Sequence, residues 1–112
     1  MAKELKVVAD FYDFTLWLIH HVEKFPRHHR YSLGRDIEAR LQSILALLLK
    51  AKYSKSKAGY LADANIELEL LRFQLRLATD LAILPRKSHG YAAEQTASVG
   101  SQIGGWLNSE SR

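Results

Sequence analysis

Between residues 64 and 84 the apolar positions form two stripes where one is usual. At 100° per residue, Ala64, Leu68, Leu71, Leu75, Ala78 and Ala82 share one face of a helix. Ile66, Leu70, Phe73, Leu77 and Leu84 share another, and a polar edge of Asn65, Glu69, Arg72, Arg76 and Thr79 separates the two. A surface helix of a small monomer needs one stripe roughly 100° wide. Two stripes predict two partners, one of them on another subunit. The first apolar segment repeats the theme. Leu5, Val7, Val8, Phe11, Tyr12, Phe14, Leu16, Leu18, Ile19 and Val22 cover roughly 200° of a helical wheel, about twice the normal width.

The periodicity predicts four helices, over residues 3–24, 32–53, 60–84 and 90–108. Pro26 and Pro85 stop the first and third. Arg27–Ser32 reads as a polar connection, with Ser32 and Ser88 in position to cap the helices that follow. The second helix carries a central stripe of Leu33, Ile37, Leu41, Ile44 and Leu48. Gly34 in its first turn marks either a close backbone approach or a ragged start. The fourth is rich in Ala, Ser and Gly, which suits close packing against another helix. Short connections between four helices give an all-α, antiparallel up-down-up-down bundle, one domain over residues 1–112. The excess apolar surface makes it a homo-oligomer. Phe11, Phe14 and Leu18 of the first helix and Ile66, Leu70, Phe73 and Leu77 of the third are the expected interface residues.

Charge adds a partner to this picture. The chain nets +4, but from Lys24 to Lys57 there are nine Lys and Arg against two acids, Asp36 and Glu38. The bundle topology gathers Lys24, Arg27, His28, His29, Arg30 and Arg35 at one end with Arg86, Lys87 and His89. Lys50, Lys52, Lys55 and Lys57 collect at the other. Segregated positive charge favours polyanions, bound through phosphate contacts. Arg72 and Arg76, one turn apart, point two guanidinium forks the same way, which suits phosphates or carboxylates. Glu69 and Asp80 are placed to pair with them instead. Tyr31, Tyr53, Tyr60 and Tyr91 lie near the connections, where they can stack on bases or close the bundle ends.

Other chemistry is sparse. There is no Cys, which excludes disulfides and thiolate metal sites. The five His form no His-x-x-x-His pair, and no cofactor or metal is expected. Paired carboxylates and a Gly-rich phosphate loop are missing. Arg86-Lys87-Ser88-His89 is too short for a helical-bundle ribonuclease motif, so no enzyme activity is expected. The longest apolar run, Ile44–Leu49, is far short of the ~20 residues of a membrane span. Met1-Ala2-Lys3-Glu4 shows no signal-peptide pattern, which makes the cytoplasm the expected location.

Phe25-Pro26, a basic stretch, Tyr31-Ser32-Leu33-Gly34 and Ile37-Glu38 resemble the first helical hairpin of the accessory variability determinant (Avd) proteins of diversity-generating retroelements. Ala64-Asn65, Leu71-Arg72 and Arg76-Leu77-Ala78 resemble that family's third helix. Tyr91-Ala92-Ala93, Val99-Gly100 and Ile103-Gly104-Gly105-Trp106-Leu107 resemble its last. A sister family, the four-helix-bundle proteins of ribosomal RNA intervening sequences, shares much of the pattern. It has an Asn-Ile-Ala-Glu-Gly-like run where Ser43-Ile44-Leu45-Ala46-Leu47 stands here. The resemblance to Avd implies a homopentameric barrel with no catalytic centre. It also implies binding to the element's reverse transcriptase and to template RNA or cDNA, in support of mutagenic retrohoming. On this reading Lys24, Arg27, His28, Arg30, Arg35, Arg72, Arg76, Arg86 and Lys87 are the candidate partner-binding residues. The alternatives are a four-helix-bundle protein of the ribosomal RNA intervening-sequence type and a protein-interaction module that meets acidic protein surfaces.

Overall fold

The structure, a computed structural model, describes residues 3–110, with side chains from Lys6 onward; Leu5, counted in the first apolar arc, lies outside the described side chains. The elements are α1 (Lys3–Val22), α2 (Arg27–His29), a π-helical turn (Arg30–Gly34), α3 (Arg35–Tyr53), α4 (Ala58–Asp80) and α5 (Arg86–Glu110). No strand occurs among the described residues. The segment α2–π turn–α3 runs without a break, so the molecule is a bundle of four long rods. α1 and α4 each pack on both α3 and α5, which leaves α1 and α4 diagonally opposed.

The core forms where the four inward stripes meet. Phe11, Phe14 and Leu18 of α1 join Ile37, Leu41, Ile44 and Leu48 of α3, Leu61, Leu68, Leu71 and Leu75 of α4, and Val99, Ile103 and Trp106 of α5. Two buried hydroxyls are satisfied inside their own helices: Thr15 Oγ1 donates to the Phe11 carbonyl at 2.8 Å and Thr96 Oγ1 to that of Ala92 at 2.9 Å. Phe11, Phe14 and Leu18, which the width of the first helix's apolar arc places at a subunit interface, are instead buried in the protomer's own core. With α3 on one side and α5 on the other, that arc is consumed by its own protomer. The outward apolar residues of α1 are Tyr12 and Leu16.

The connections differ from expectation in three places. Arg27–Ser32 is helical rather than a polar link, because Pro26 serves as an N-cap: with φ −53° and ψ 145° its carbonyl accepts the N–H groups of His29 and Arg30, both at 2.9 Å. Ser32 lies inside this stretch, its hydroxyl bonded back to the His28 carbonyl at 3.0 Å, and caps nothing. Pro85 does the same for α5, accepting from His89 N–H at 2.9 Å, so α5 starts at Arg86 and Ser88 is not its cap. α4 stops at Asp80, four residues before Leu84. Ala82 takes φ 61°, Ala82 N–H bonds the Thr79 carbonyl and Ile83 N–H bonds that of Ala78, each at 2.9 Å. This is a Schellman close with alanine at the left-handed position glycine usually fills. It leaves Ala82 exposed and folds Leu84 back into the core.

Of the glycines, Gly34 has the least room. A Cβ there would sit 2.9 Å from Val22 Cγ1 and 3.3 Å from the His29 carbonyl oxygen. The close approach joins the end of α1 to the π turn. Among the small residues of α5, Ala92 is buried in the core. Of the α5 glycines, Gly100 alone approaches a neighbour, a Cβ there lying 3.4 Å from Leu68 Cδ2, while nothing lies within 4 Å of a Cβ at Gly90, Gly104 or Gly105.

Candidate anion-binding groove and cationic end

The antiparallel order brings the α1–α2 and α4–α5 connections to one end, as the contact of Trp17 with Tyr91 shows (4.7 Å between ring centroids). Lys24, Arg27, His28, Arg35, Arg86 and Lys87 are exposed there. None of them takes part in the ion pairs found among the described residues. Arg27, His28 and His29 fill the first turn of α2, Arg86 and Lys87 that of α5, and neither turn holds an acid. Cations at a helix N-terminus oppose the macrodipole. Arg27, His28, Arg86 and Lys87 thus add positive potential at this end against the dipoles of the helices they begin, whereas Lys24 follows the C-terminus of α1, where a cation is favourable.

Arg30 is less available. It is half-buried in the π turn, Nη2 donates to the Phe25 carbonyl at 3.4 Å, its Nε is buried without a partner, and the guanidinium lies 5.9 Å from the Tyr31 ring centroid. At the far end Lys57 is spent on structure. Its Nζ donates to the carbonyls of Ala51 (2.8 Å), Lys52 (3.1 Å) and Ser54 (2.7 Å), closing the C-terminus of α3. Arg40 is also committed: it bridges α3 to α4 through Glu67 (2.8 Å) and Gln74 (3.0 Å).

Arg72 and Arg76 line a groove of about 220 Å³ between α4 and α5, together with Glu69, Phe73 and Leu75 of α4 and His89, Ala93 and Thr96 of α5. The groove continues toward the far end past Asn65, Ala97, Gly100 and Ser101. The intramolecular pairings both exist, but Arg72–Glu69 spans 3.6 Å and Arg76–Asp80 4.0 Å between well-exposed side chains. Such pairs contribute little and yield readily to a better anion. The groove also recruits His89, which sequence reading assigned only to the bundle end. The signal was present: His89, Ala93, Thr96 and Gly100 follow helical spacing on α5, and their small members open the space the Arg side chains face.

Beside the groove runs the outward stripe of α4. Ile66, Leu70, Phe73 and Leu77 are 61%, 43%, 58% and 48% exposed. Among the described residues, no cluster of three or more His, Asp or Glu side chains could hold a metal ion, and no helix is long and apolar enough to cross a membrane.

The family model described as bAvd-like matches residues 5–110. No curated protein matches the chain significantly.

Proposed function

From the premise that this chain belongs to the bAvd-like family, we propose that it is a non-catalytic accessory protein of a diversity-generating retroelement. It acts as a basic homo-oligomer that holds template RNA or cDNA and the reverse transcriptase during mutagenic retrohoming. The observation that carries the nucleic-acid part is the set of exposed cations at one end, four of them (Arg27, His28, Arg86 and Lys87) placed against their helix dipoles, continued by Arg72, Arg76 and His89 in the groove. These groups neutralise phosphates without reading sequence, since no helix is presented for insertion into a groove of a duplex.

Two apolar patches support self-association. The α4 stripe and the Tyr12–Leu16 patch of α1 lie on diagonal rods, hence on opposite sides of the protomer. Two unlike patches on opposite sides favour head-to-tail packing, which closes into a ring when the rotation permits. A pentamer is the ring the family resemblance implies. With the cationic ends side by side, such a ring pools their charge.

Binding of a labelled RNA should weaken about 10³-fold between 50 and 200 mM salt if about six phosphates are neutralised. Affinity that ignores salt would refute phosphate contacts. Arg72→Ala with Arg76→Ala should weaken capture of reverse transcriptase or RNA while leaving helical circular dichroism unchanged; unaltered capture of both would make the pair structural. Leu70→Asp with Phe73→Asp should reduce the light-scattering mass to that of one protomer. An unchanged mass would show that the α4 stripe joins no subunits.

A further inference from the structure

The seam between α1 and α5 holds an aromatic array beside the cationic end. Phe14 stacks on Trp17 with centroids 5.8 Å apart and 22° between planes. Trp17 in turn meets His21 at 4.0 Å and Tyr91 at 4.7 Å. Phe14 is buried and Trp17 and His21 are half-buried, yet Tyr91 keeps 44% of its surface in solvent. The His21 ring is held in place: Nδ1 lies 2.9 Å from the Trp17 carbonyl, and because a carbonyl only accepts, Nδ1 carries the proton. Lys87 lies one turn before Tyr91 on α5, and Lys24 sits in the turn that closes α1, its N–H bonded to the His21 carbonyl at 3.1 Å, so a lysine stands within a few residues of each ring. Both lysines are exposed and outside the ion pairs of the described residues.

Rigid, partly exposed rings flanked by unpaired cations are the two components that hold single strands: aromatic faces take bases and the cations take the neighbouring phosphates. We propose that Tyr91 and His21, backed by Trp17, form a stacking platform for a base of single-stranded nucleic acid, with Lys24 and Lys87 on the flanking phosphates. A duplex fits poorly, because its bases are already stacked on one another. The inference rests on the nucleic-acid reading above and adds to it a place where the base itself is bound.

Trp106→Phe leaves Trp17 as the sole tryptophan of the full chain. Titration with an oligo(dT) of about a dozen nucleotides should quench its emission. The same oligonucleotide with abasic sugars should bind about tenfold more weakly and leave the emission unchanged, the size of one lost base–aromatic stack. Tyr91→Ala should show the same tenfold loss for oligo(dT), and Tyr91→Phe should restore binding. Equal affinity and equal quenching for the two oligonucleotides would overturn the platform and leave the phosphate contacts standing. Failure of both to bind would overturn the nucleic-acid reading itself. The abasic comparison uses one protein throughout, so it does not depend on whether Tyr91→Ala folds.

Discussion

Leu71 and Phe73 stand two residues apart on α4. Leu71 is sealed in the core, while Phe73 is more than half in water. The contrast extends along the helix: Leu61, Ala64, Leu68, Leu71, Leu75 and Ala78 face inward, and Ile66, Leu70, Phe73 and Leu77 face outward. The outward set is at least as greasy as the inward one. Residue type therefore does not set burial; the number of neighbours does. α3 and α5 cover the inward arc completely. The diagonal position of α4 leaves its far side open over about 16 Å of helix. That exposed apolar row is the observation behind the proposed self-association.

The largest test separates the two faces. Leu71→Ala should cost about 2–5 kcal/mol in denaturant unfolding, through lost transfer energy and the cavity left behind. Phe73→Ala, measured where the protein is dissociated into protomers, should change stability by less than about 0.5 kcal/mol. Equal losses would mean that the outward face is packed within the protomer, and the contrast would collapse.

The ends of α4 sharpen the picture with smaller effects. At its start, Lys57→Ala removes a charged donor from three carbonyls and should cost about 1–2 kcal/mol. Lys55→Ala, at an exposed neighbouring position, should cost nothing measurable. At its close, Ala82→Gly should raise stability by about 1 kcal/mol, because the backbone already holds φ 61°. A fall in melting temperature would show that the alanine methyl is packed in solution.

The smallest effect lies across the bundle, on α1. Lys6 Nζ (2.6 Å) and Gln102 Nε2 (2.9 Å) both donate to Asp10, and these hydrogen bonds hold its carboxyl below the usual carboxylate range. A lowered folded-state pKa contributes stability above the unfolded value, about pH 4, and loses it as pH falls through the folded value. Asp10→Asn should therefore be slightly less stable than the parent at pH 7. The difference should vanish in thermal melts near pH 2. A gap that persists in acid would assign the effect to packing rather than charge.

The sequence alone determined the helical rods, the bundle topology, the prolines that divide the rods, the doubled stripe of α4 and the Arg72–Arg76 edge. Each is a property of one helix or one connection, written in the spacing of side chains along a single rod. Tertiary structure alone decided which arc of a rod faces inward, because that depends on where the neighbouring rods stand. Hence Phe11, Phe14 and Leu18 entered the protomer core while Tyr12 and Leu16 stayed outside. Likewise, only packing could bring His89 to the groove with Arg72 and Arg76, or spend Lys57 and Arg40 on carbonyl and carboxylate partners. A formal charge is visible in the chain, but whether it is free to meet a partner depends on groups brought near it by the fold.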